Sequence, residues 1–367
     1  MIYNTIGVTS GGNLSGLDIC YTQFTETGGL WTYEILNTEC VIYSTTWIEK
    51  LKGAVYLDAY KYELLNKTYG NYIGNCVHEF IIKHNLQYKV ALVSSLGHTT
   101  FNEPKLGIIG QLGCGAAIAA ITGLPVVSNL RALDMALGGQ GTPLTPIAEK
   151  HLLPDFDFYL NIGNMASISL KNEDTFIAFK TGLAYKIINL LIKNSGKIND
   201  ASGVLETGGQ INMALLEELN SSDYYKLPFN SLVNNNINDV DIYNIIIKYN
   251  LPLNNALCTF NTHIAYQLQR GIEQIYRQQN LTIAPRKLLI TGLGTFNNYL
   301  VQQIQHYLKP LQIEIIIAGS NLAIYKKALT IAFMGVLRWR EANNTIVTLT
   351  GATKSSIGGA LWLGGDA

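Results

Sequence analysis

The apolar and polar positions of residues 161–189 predict two strands, a hairpin and a helix. Apolar residues alternate over 162–168, a polar turn follows at 171–175, and a second apolar run covers 176–179. From residue 185 the apolar residues recur at helical spacing, so a helix is predicted over 185–193. This order of elements is typical of an α/β unit.

A glycine turn joins the second of these strands to the helix. Thr181 and Gly182 follow Lys180 directly, and a turn at a helix start directs backbone N–H groups and the positive end of the helix dipole at one point. That arrangement favours an anion such as phosphate. Lys180 adds a cation there, which can clamp phosphate but cannot accept a proton from a nucleophile as a carboxylate does.

The alternation of strands and helices continues along the chain and divides it into two lobes. In the first lobe strands are predicted at 5–9, 17–24, 32–42, 55–58, 88–94 and 126–130, and helices at 72–84 and 115–122. The pattern restarts near residue 152, with strands at 287–291 and 314–317 and helices at 212–218, 241–249, 256–278, 298–307 and 325–340. We predict an N-terminal α/β lobe over 1–150 and a C-terminal α/β lobe over 151–367, with the last helix packing back on the first lobe. The lobes are expected to share a ligand cleft, because no low-complexity linker separates them.

Composition and charge narrow the class of partner. The chain has 367 residues, of which 48% are apolar and 14% charged, and its 26 basic and 26 acidic residues cancel. No basic cluster longer than a pair occurs, so neither nucleic acid nor an anionic membrane surface is expected as a partner. The expected partner is a small molecule or a protein.

The cysteines and the apolar runs bear on location. Cys20, Cys40, Cys76, Cys114 and Cys258 stand singly, which argues against a zinc ribbon or a thioredoxin-like site and suits a reducing compartment. Cys114, in a Gly-Cys-Gly turn, is predicted to be a small buried residue rather than a nucleophile. No apolar run approaches the roughly 20 residues of a membrane span, and the first residues lack the pattern of a secretory signal. A cytoplasmic protein is therefore expected.

Three glycine-containing turns stand out from this general α/β pattern. They lie at residues 10–16, 180–182 and 292–294, each after a predicted strand. Any one of them has an ordinary steric explanation, because glycine fits strand-to-helix junctions. Their order across two lobes resembles the nucleotide fold of actin, sugar kinases and the Hsp70 ATPase. We therefore predict an actin-like, two-lobed α/β fold of the ribonuclease H-like class with a central cleft.

Within that fold, the sequence resembles the anhydro-N-acetylmuramic acid kinases nearly from end to end. The most specific shared segment is GGQGTPLTP at residues 138–146. Further matching segments are 7–18 (GVTSGGNLSGLD), 97–104 (GHTTFNEP), 111–117 (QLGCGAA), 122–127 (TGLPVV), 131–137 (RALDMAL), 161–168 (NIGNMASI), 292–297 (GLGTFN), 328–337 (ALTIAFMGVL) and 350–352 (TGA). The resemblance implies a homodimeric enzyme of bacterial cell-wall recycling. Such an enzyme uses ATP, Mg²⁺ and water to open the 1,6-anhydro ring of the sugar and phosphorylate it at O6.

The resemblance also assigns candidate site residues. Phosphate and ATP would be held by Gly11, Gly12, Asn13, Ser15, Gly16, Asp18, Thr181, Gly182, Gly292, Gly294 and Asn297. The sugar would be held by His98, Thr99, Arg131, Asp134, Gly139 and Gln140. Judged from the residues alone, His98 is about as well explained as a hydrogen-bonded turn residue, and Arg131 with Asp134 as a plain ion pair on one helical turn.

Several positions depart from the family's pattern. In the first loop Gly12 and Asn13 replace two hydroxyl residues and Ser15 replaces a carboxylate, although Asp18 is kept. Lys180 stands where the family has its catalytic aspartate. Charged or polar family residues are also replaced at Leu96, Cys114, Asn129, Asn234, Asn235 and Lys327, the last of these standing where the family has a glutamate on its last core helix.

Two functions are compatible with this sequence. One is a working sugar kinase with altered catalytic groups, which would use ATP and Mg²⁺. The other is a catalytically impaired or inactive paralogue that binds a sugar, a nucleotide or a protein partner and needs no cofactor. We favour the second, because a positioned base contributes roughly 10²–10⁴ in rate, or ~3–5 kcal/mol, and Lys180 removes it. The same replacement removes a carboxylate that would help hold Mg²⁺, so no intact metal site is expected.

Overall fold

The computed structural model describes residues 1–11, 14–172, 175–197, 202–226 and 238–365. The chain forms two compact units, Met1–Pro154 with Tyr325–Ala367, and Asp155–Ile324. The sequence predicts a boundary near residue 150 and a second lobe over 151–367. In the structure the C-terminal segment from Tyr325 onwards belongs to the first unit.

Both units are built around β-strands. In chain order these are β1 (Ile2–Ser10), β2 (Gly16–Thr27), β3 (Leu30–Ile42), β4 (Leu92–Ser95), β5 (His98–Glu103), β6 (Ile108–Leu112), β7 (Val126–Ser128), β8 (Phe158–Ile162), β9 (Met165–Asn172), β10 (Thr175–Leu183), β11 (Arg286–Thr291), β12 (Ile313–Ile317) and β13 (Ala360–Trp362). Strands β8 to β12 belong to the second unit, and the others belong to the first.

Helices cover the strands in both units. They are α1 (Thr45–Gly53), α2 (Ala59–Lys83), α3 (Gly115–Thr122), α4 (Ala132–Ala136), α5 (Pro146–Leu152), α6 (Tyr185–Asn194), α7 (Met213–Asn220), α8 (Asp223–Lys226), α9 (Asp239–Lys248), α10 (Leu253–Gln278), α11 (Asn298–Leu308), α12 (Ser320–Trp339) and α13 (Val347–Thr350). The division between the units falls within α12. In the described ranges, each helix is too short or too polar to span a bilayer.

The two units repeat one strand order. The main sheet of the first unit runs β13-β7-β4-β1-β2-β3, and that of the second runs β10-β9-β8-β11-β12. In chain order, the first three strands of each sheet form an antiparallel meander, which is β1-β2-β3 in the first unit and β8-β9-β10 in the second. The fourth strand, β4 or β11, pairs in parallel with the first, β1 or β8. This order of third, second, first, fourth and fifth strand, present twice, is the ribonuclease H-like arrangement of the actin-like class. The predicted fold class is confirmed.

Each unit has its own apolar core. In the first unit Ile6 and Val8 of β1 are fully buried together with Tyr69 of α2. In the second, Phe158 of β8 and Phe260 of α10 are fully buried. Strand β1 is buried at every position from Thr5, its fourth residue, onwards, as expected for a central strand with parallel pairing on one side and helices packed against the sheet.

Some predicted elements differ from the structure. The strand predicted at 55–58 is a 3₁₀ turn at Ala54–Tyr56, because the Asp58 side chain accepts from the Lys61 amide at 2.8 Å and thereby caps α2. The strand predicted at 88–94 begins only at β4. Strand β10 continues through the predicted glycine turn as far as Leu183, which changes the surroundings of Lys180.

A fully buried histidine lies on α10 in the second unit. Nδ1 of His263 lies 2.7 Å from the Asn220 side-chain oxygen, and its Nε2 has no hydrogen-bond partner among the described residues. The ring packs edge-on against Tyr225 and stacks with Phe260. Burial lowers the pKa of His263 to about 3, so the folded protein holds this ring neutral.

We expect His263 to make the second unit less stable as the pH falls from 7 to 5. In the unfolded chain His263 has a pKa of about 6.5 and is protonated as the pH falls below that value. In the folded protein its pKa is about 3, so it stays neutral at pH 5. Because only the unfolded chain binds the proton in this pH range, acid favours unfolding. The expected loss is about 2 kcal/mol at pH 5. Urea unfolding at both pH values should show a smaller loss in His263→Gln, while the exposed-site control His306→Gln should behave like the parent. An equal pH dependence in all three proteins would contradict the assignment.

Candidate functional site

The first predicted phosphate loop is the hairpin between β1 and β2. Gly12 and Asn13, at its tip, lie outside the described residues. The Leu14 amide donates to the Gly11 carbonyl at 3.0 Å, and the Gly11 amide donates to the Gly16 carbonyl at 3.2 Å. The predicted hairpin is confirmed, and its phosphate contacts stay a prediction.

Ser10, at the end of β1, joins a polar network in the first unit. Its hydroxyl lies 3.3 Å from Nδ1 of His98 and hydrogen-bonds with Tyr43 and Tyr69, whose hydroxyls are 2.6 Å apart. Burial, and then the charge of Lys327, lower the pKa of His98 to about 4. His98 is therefore a neutral imidazole at pH 7, and it begins strand β5 rather than lying in a turn.

Asp134 fixes the glycine-rich loop that carries the most specific motif. Its side chain is fully buried, and its two oxygens accept from the Gly141 amide at 2.8 Å and from the Thr350 hydroxyl at 2.7 Å. The Gln140 amide donates to the Thr350 carbonyl at 2.9 Å, and an added Cβ at Gly139 would collide with the Asp134 carboxylate. Both carboxylate oxygens are therefore used to shape the loop.

Arg131 does not pair with Asp134. Its Nε atom is buried and has no hydrogen-bond partner among the described residues, while the oxygens of Asp134 are engaged elsewhere. The plain ion pair that the spacing suggested is therefore not formed. Burial lowers the pKa of Arg131 to about 10, which leaves the guanidinium charged at pH 7. Arg131 lines a small pocket together with Asp134, Asn344, Thr345 and Thr350.

Lys327 of α12 is a second cation of the first unit, besides Arg131, that has a lowered pKa. Helix α12 packs closely on β1, since an added Cβ at Gly7 would lie 2.8 Å from the Ala332 amide. The half-buried Lys327 has its pKa lowered to about 8 by burial and then by Arg131, against an opposing effect of Asp18. In the ranges that the structure describes, no hydrogen bond or ion pair engages its ammonium group.

Asp18 is the carboxylate that the first loop retains. It lies opposite Cys40 in the register of β2 and β3. Burial raises the pKa of Asp18, and the hydrogen bond to Cys40 and the charge of Lys327 oppose that rise. Thr99 lies on β5 opposite Gln111 of β6. Electrostatic interactions thus link Lys327 with Asp18, with His98 and with Arg131 in the first unit.

Lys180 lies on β10 of the second unit, opposite Ser167 of β9. Its side chain is half-buried, and its ammonium makes no hydrogen bond or ion pair with any described residue. The register shifts between Lys180 and Gly182, so Thr181 is a bulge residue. Gly182 has φ +150°, and an added Cβ there would lie 2.5 Å from the Tyr225 hydroxyl, which explains the glycine by packing.

The backbone amides at the start of α6 are hydrogen-bonded to the turn between β8 and β9. The amides of Ala184 and Lys186 donate to the Asn164 carbonyl at 2.9 and 3.3 Å, and the Tyr185 amide donates to the Gly163 carbonyl at 3.0 Å. The buried Thr181 hydroxyl donates to the Ala166 carbonyl at 3.3 Å. These donors are the ones that an anion at a helix start would need. Phosphate binding therefore does not use the amides of residues 184–186 in this structure, and the assignment of Thr181 and Gly182 to phosphate stays a prediction.

The third predicted glycine turn is also explained by packing. Gly292 has φ +89°, and an added Cβ there would lie 2.5 Å from the Ile162 carbonyl oxygen. The fully buried Asn297 caps α11 by accepting from the Leu300 amide at 2.8 Å. Its amide nitrogen donates to Glu206 at 2.8 Å. Asn297 therefore has its side-chain donor and acceptor both engaged inside the unit.

Glu206 is a buried carboxylate that sequence reasoning missed. It is 3% exposed and accepts from Asn261 at 2.6 Å and from Asn297 at 2.8 Å. Its backbone carbonyl accepts from the Cys258 thiol at 3.2 Å. No local pattern marks Glu206, because its partners come from α10 and from the turn before α11.

The donor set does not fit the ATP–Mg²⁺ group of the predicted kinase in the second unit. Position 180 carries a cation, the amides at the start of α6 are engaged, and the Asn297 side chain donates to Glu206 and accepts from the Leu300 amide. Across the described ranges, no group of three or more His, Cys, Asp or Glu residues is placed to hold a metal ion.

Comparison with known proteins decides the family. A family model described as anhydro-N-acetylmuramic acid kinase matches residues 3–364. The chain belongs to the anhydro-N-acetylmuramic acid kinase family. It is 29% identical to the anhydro-N-acetylmuramic acid kinase of Hydrogenovibrio crunogenus over 74% of each chain. It is 26% identical to that of Francisella tularensis subsp. novicida over 97% of each chain.

Solved structures add little to this family assignment. An activator of 2-hydroxyisocaproyl-CoA dehydratase from Clostridium difficile aligns over 92% of this chain and 96% of its own, with 12% identity and a TM-score of 0.44. A ROK family glucokinase from Streptomyces griseus aligns over 91% and 99%, with 13% identity and a TM-score of 0.41. At these TM-scores the likeness carries no argument about function, and the membership rests on the family match. That membership makes the chain a relative of sugar-kinase phosphotransferases.

Proposed function

We propose that this protein is a member of the anhydro-N-acetylmuramic acid kinase family that binds an amino sugar without phosphorylating it by the family's mechanism. The observation that carries the proposal is Lys180. It stands at the position of the family's catalytic base, and its ammonium has no partner among the described residues. The binding role is supported by the intact loop that Asp134 and Thr350 hold.

The chemistry of the family's reaction explains why a lysine at this position is expected to lower the rate of phosphorylation. Opening the anhydro ring requires a base that activates water, and a positioned base supplies roughly 10²–10⁴ in rate. An ammonium carries its proton at pH 7 and repels a second cation, so Lys180 neither accepts the proton nor helps to bind Mg²⁺. The engaged amides at the start of α6 remove a second contribution, which is stabilisation of transferring phosphate by backbone donors.

A working kinase is the second candidate function. The family match over residues 3–364 favours it, as do the retained Asp18, Arg131 and Asp134. It would require ATP and Mg²⁺ to be held by groups other than the amides at the start of α6. Family membership also supports two smaller proposals, a homodimeric state and a location in the cytoplasm.

A coupled ADP-release assay with 1,6-anhydro-N-acetylmuramic acid and Mg-ATP separates the two functions. We expect the unaltered protein to release ADP no faster with the sugar than without it. A gain of sugar-dependent ADP release in Lys180→Asp, absent from Lys180→Gln, would assign the loss to the missing base. Sugar-dependent turnover by the unaltered protein would sink the non-catalytic proposal, and failure to bind the sugar in a calorimetric titration would remove the binding role.

A further inference from the structure

We propose that the C-terminal segment 344–358 positions Gln140 of the glycine-rich loop, residues 138–141, for ligand binding, and that Thr350 is the residue through which it does so. This inference rests on the proposed sugar-binding role and deepens it, because it names what holds the binding loop in place. Thr350 acts through Gln140 and does not contact the sugar itself. The ligand group is a neutral one that donates and accepts hydrogen bonds, such as a hydroxyl or an amide of an amino sugar.

Segment 344–358 is a loop whose two ends are tied together. The Asn344 side chain donates to the Gly358 carbonyl at 2.8 Å and accepts from the Gly358 amide at 2.7 Å. Between these ends, the hydroxyls of Thr345 and Ser356 are 3.0 Å apart. Asn344, Thr345 and Ser356 are all buried. A loop closed by buried hydrogen bonds holds the residues between its ends in fixed positions.

This segment is anchored on the body of the first unit. The Asn344 side chain also donates to the Met334 carbonyl of α12 at 3.3 Å. An added Cβ at Gly358 would lie 2.6 Å from the Leu130 carbonyl oxygen, so the two backbones are in contact there. The segment therefore gives Thr350 a fixed base beside the chain that leads into α4.

Thr350 joins the segment to the glycine-rich loop by two hydrogen bonds. Its hydroxyl donates to Asp134 at 2.7 Å, and its backbone carbonyl accepts from the Gln140 amide at 2.9 Å. A third bond between the same two parts of the chain runs from the Thr353 amide to the Leu137 carbonyl at 3.0 Å. Thr350 thus holds both the carboxylate that shapes the loop and the backbone of Gln140.

Gln140 has its backbone engaged on both sides and its side chain available. Its N–H donates to Thr350, and its carbonyl accepts from the Asn102 side chain at 3.4 Å. Its half-buried side-chain amide makes no hydrogen bond with any described residue. Such an amide offers both an acceptor oxygen and donor hydrogens. Because its backbone is already fixed, little conformational freedom is lost when a ligand binds.

Calorimetric titration of the full chain with 1,6-anhydro-N-acetylmuramic acid tests the positioning role. Thr350→Val removes the hydroxyl and keeps the branched shape, so the sugar should bind about tenfold more weakly. Thr350→Ser keeps the hydroxyl and should bind within about twofold of the parent. Thr345→Val loosens the base of the segment without touching Asp134 and should weaken binding about threefold. The control Val77→Ala, which empties buried volume in α2 of the same unit, should lower the thermal midpoint without changing the affinity.

A double-mutant cycle separates positioning from a general loss of stability. Gln140→Leu alone should weaken sugar binding about tenfold or more. Because Thr350 acts through Gln140, adding Thr350→Val to Gln140→Leu should cause no further loss, whereas independent effects would multiply. Hydrogen exchange of the sugar-free protein gives a second readout. The amides of Gln140 and Gly141, which donate to Thr350 and Asp134, should exchange about tenfold faster in Thr350→Val.

The outcomes separate this inference from the proposed function. Sugar binding by the parent that is unchanged in Thr350→Val would overturn the positioning role and leave the sugar-binding role standing. Losses that multiply in the double variant would show that Thr350 does not act through Gln140 and would overturn it as well, as would unchanged exchange of the two loop amides. A parent that does not bind the sugar would overturn the proposed function and this inference with it.

Discussion

Replacing Lys326 by methionine is expected to lower the free energy of unfolding by about 3–5 kcal/mol. Lys326 and Glu149 are 3% and 2% exposed at their side chains, and their ion pair is 2.9 Å long. Removal of the ammonium takes away the cation that lies 2.9 Å from this buried carboxylate, and losing a buried ion-pair partner is far more costly than losing a surface pair. Chemical denaturation followed by fluorescence or circular dichroism measures the change.

The double variant Glu149→Gln with Lys326→Met is the matched control. It removes both charges together, so most of the loss should be recovered, because replacing a whole buried pair is often nearly neutral. Glu149→Gln alone should be destabilised, since it leaves the ammonium buried. A Lys326→Met protein as stable as the parent would show that this pair does not hold α5 against α12.

Replacing Glu206 by alanine is expected to destabilise the protein by about 2–6 kcal/mol. Two buried amide donors, from Asn261 and Asn297, point at one Glu206 oxygen, and each donor left without a partner costs ~1–3 kcal/mol. The loss should fall on the second unit, where Asn297 also caps α11. Urea unfolding of the variant beside the parent gives the magnitude.

Glu206→Gln separates the hydrogen bonds from the bulk of the side chain. Its amide oxygen still accepts from both asparagines, so the expected loss is smaller, about 1–2 kcal/mol from the lost charge assistance. The carbonyl that accepts from Cys258 belongs to the backbone and is unaffected. Equal losses in both variants would mean that filling the space, not accepting the two bonds, is the role of Glu206.

The first unit illustrates how far local sequence reasoning reaches. The hairpin between β1 and β2 was predicted, because glycines between two apolar strands mark it locally. The pair suggested by the spacing of Arg131 and Asp134 was not formed, because Thr350, distant in the chain, takes one of the carboxylate oxygens. The spacing of residues in the sequence indicates which ion pairs are possible, and the tertiary structure determines which hydrogen bonds and ion pairs form.

The second unit shows the same limit at the helix start. Residues 180–186 have the composition of an anion-binding turn, and the presence of α6 was predicted. Whether its first amides are free depends on the Gly163–Asn164 turn, which reaches them through the pairing of β9 with β10. The periodicity of apolar residues places a strand but does not report which carbonyls lie opposite its end.

The sequence by itself determined the α/β class, the actin-like fold, the resemblance to the anhydro-N-acetylmuramic acid kinases and the lysine at the position of the base. These depend on local periodicity, on motifs and on residue identity at one position. Tertiary structure alone decided that the first amides of α6 are hydrogen-bonded to the neighbouring hairpin. It also decided that Glu206 is bound by two asparagines and Lys326 by Glu149, whereas neither the Arg131 Nε nor the Lys327 ammonium has a hydrogen-bond partner among the described residues. The physical reason is that burial and pairing depend on neighbours far apart in the chain, such as Glu149 and Lys326, which only folding brings together.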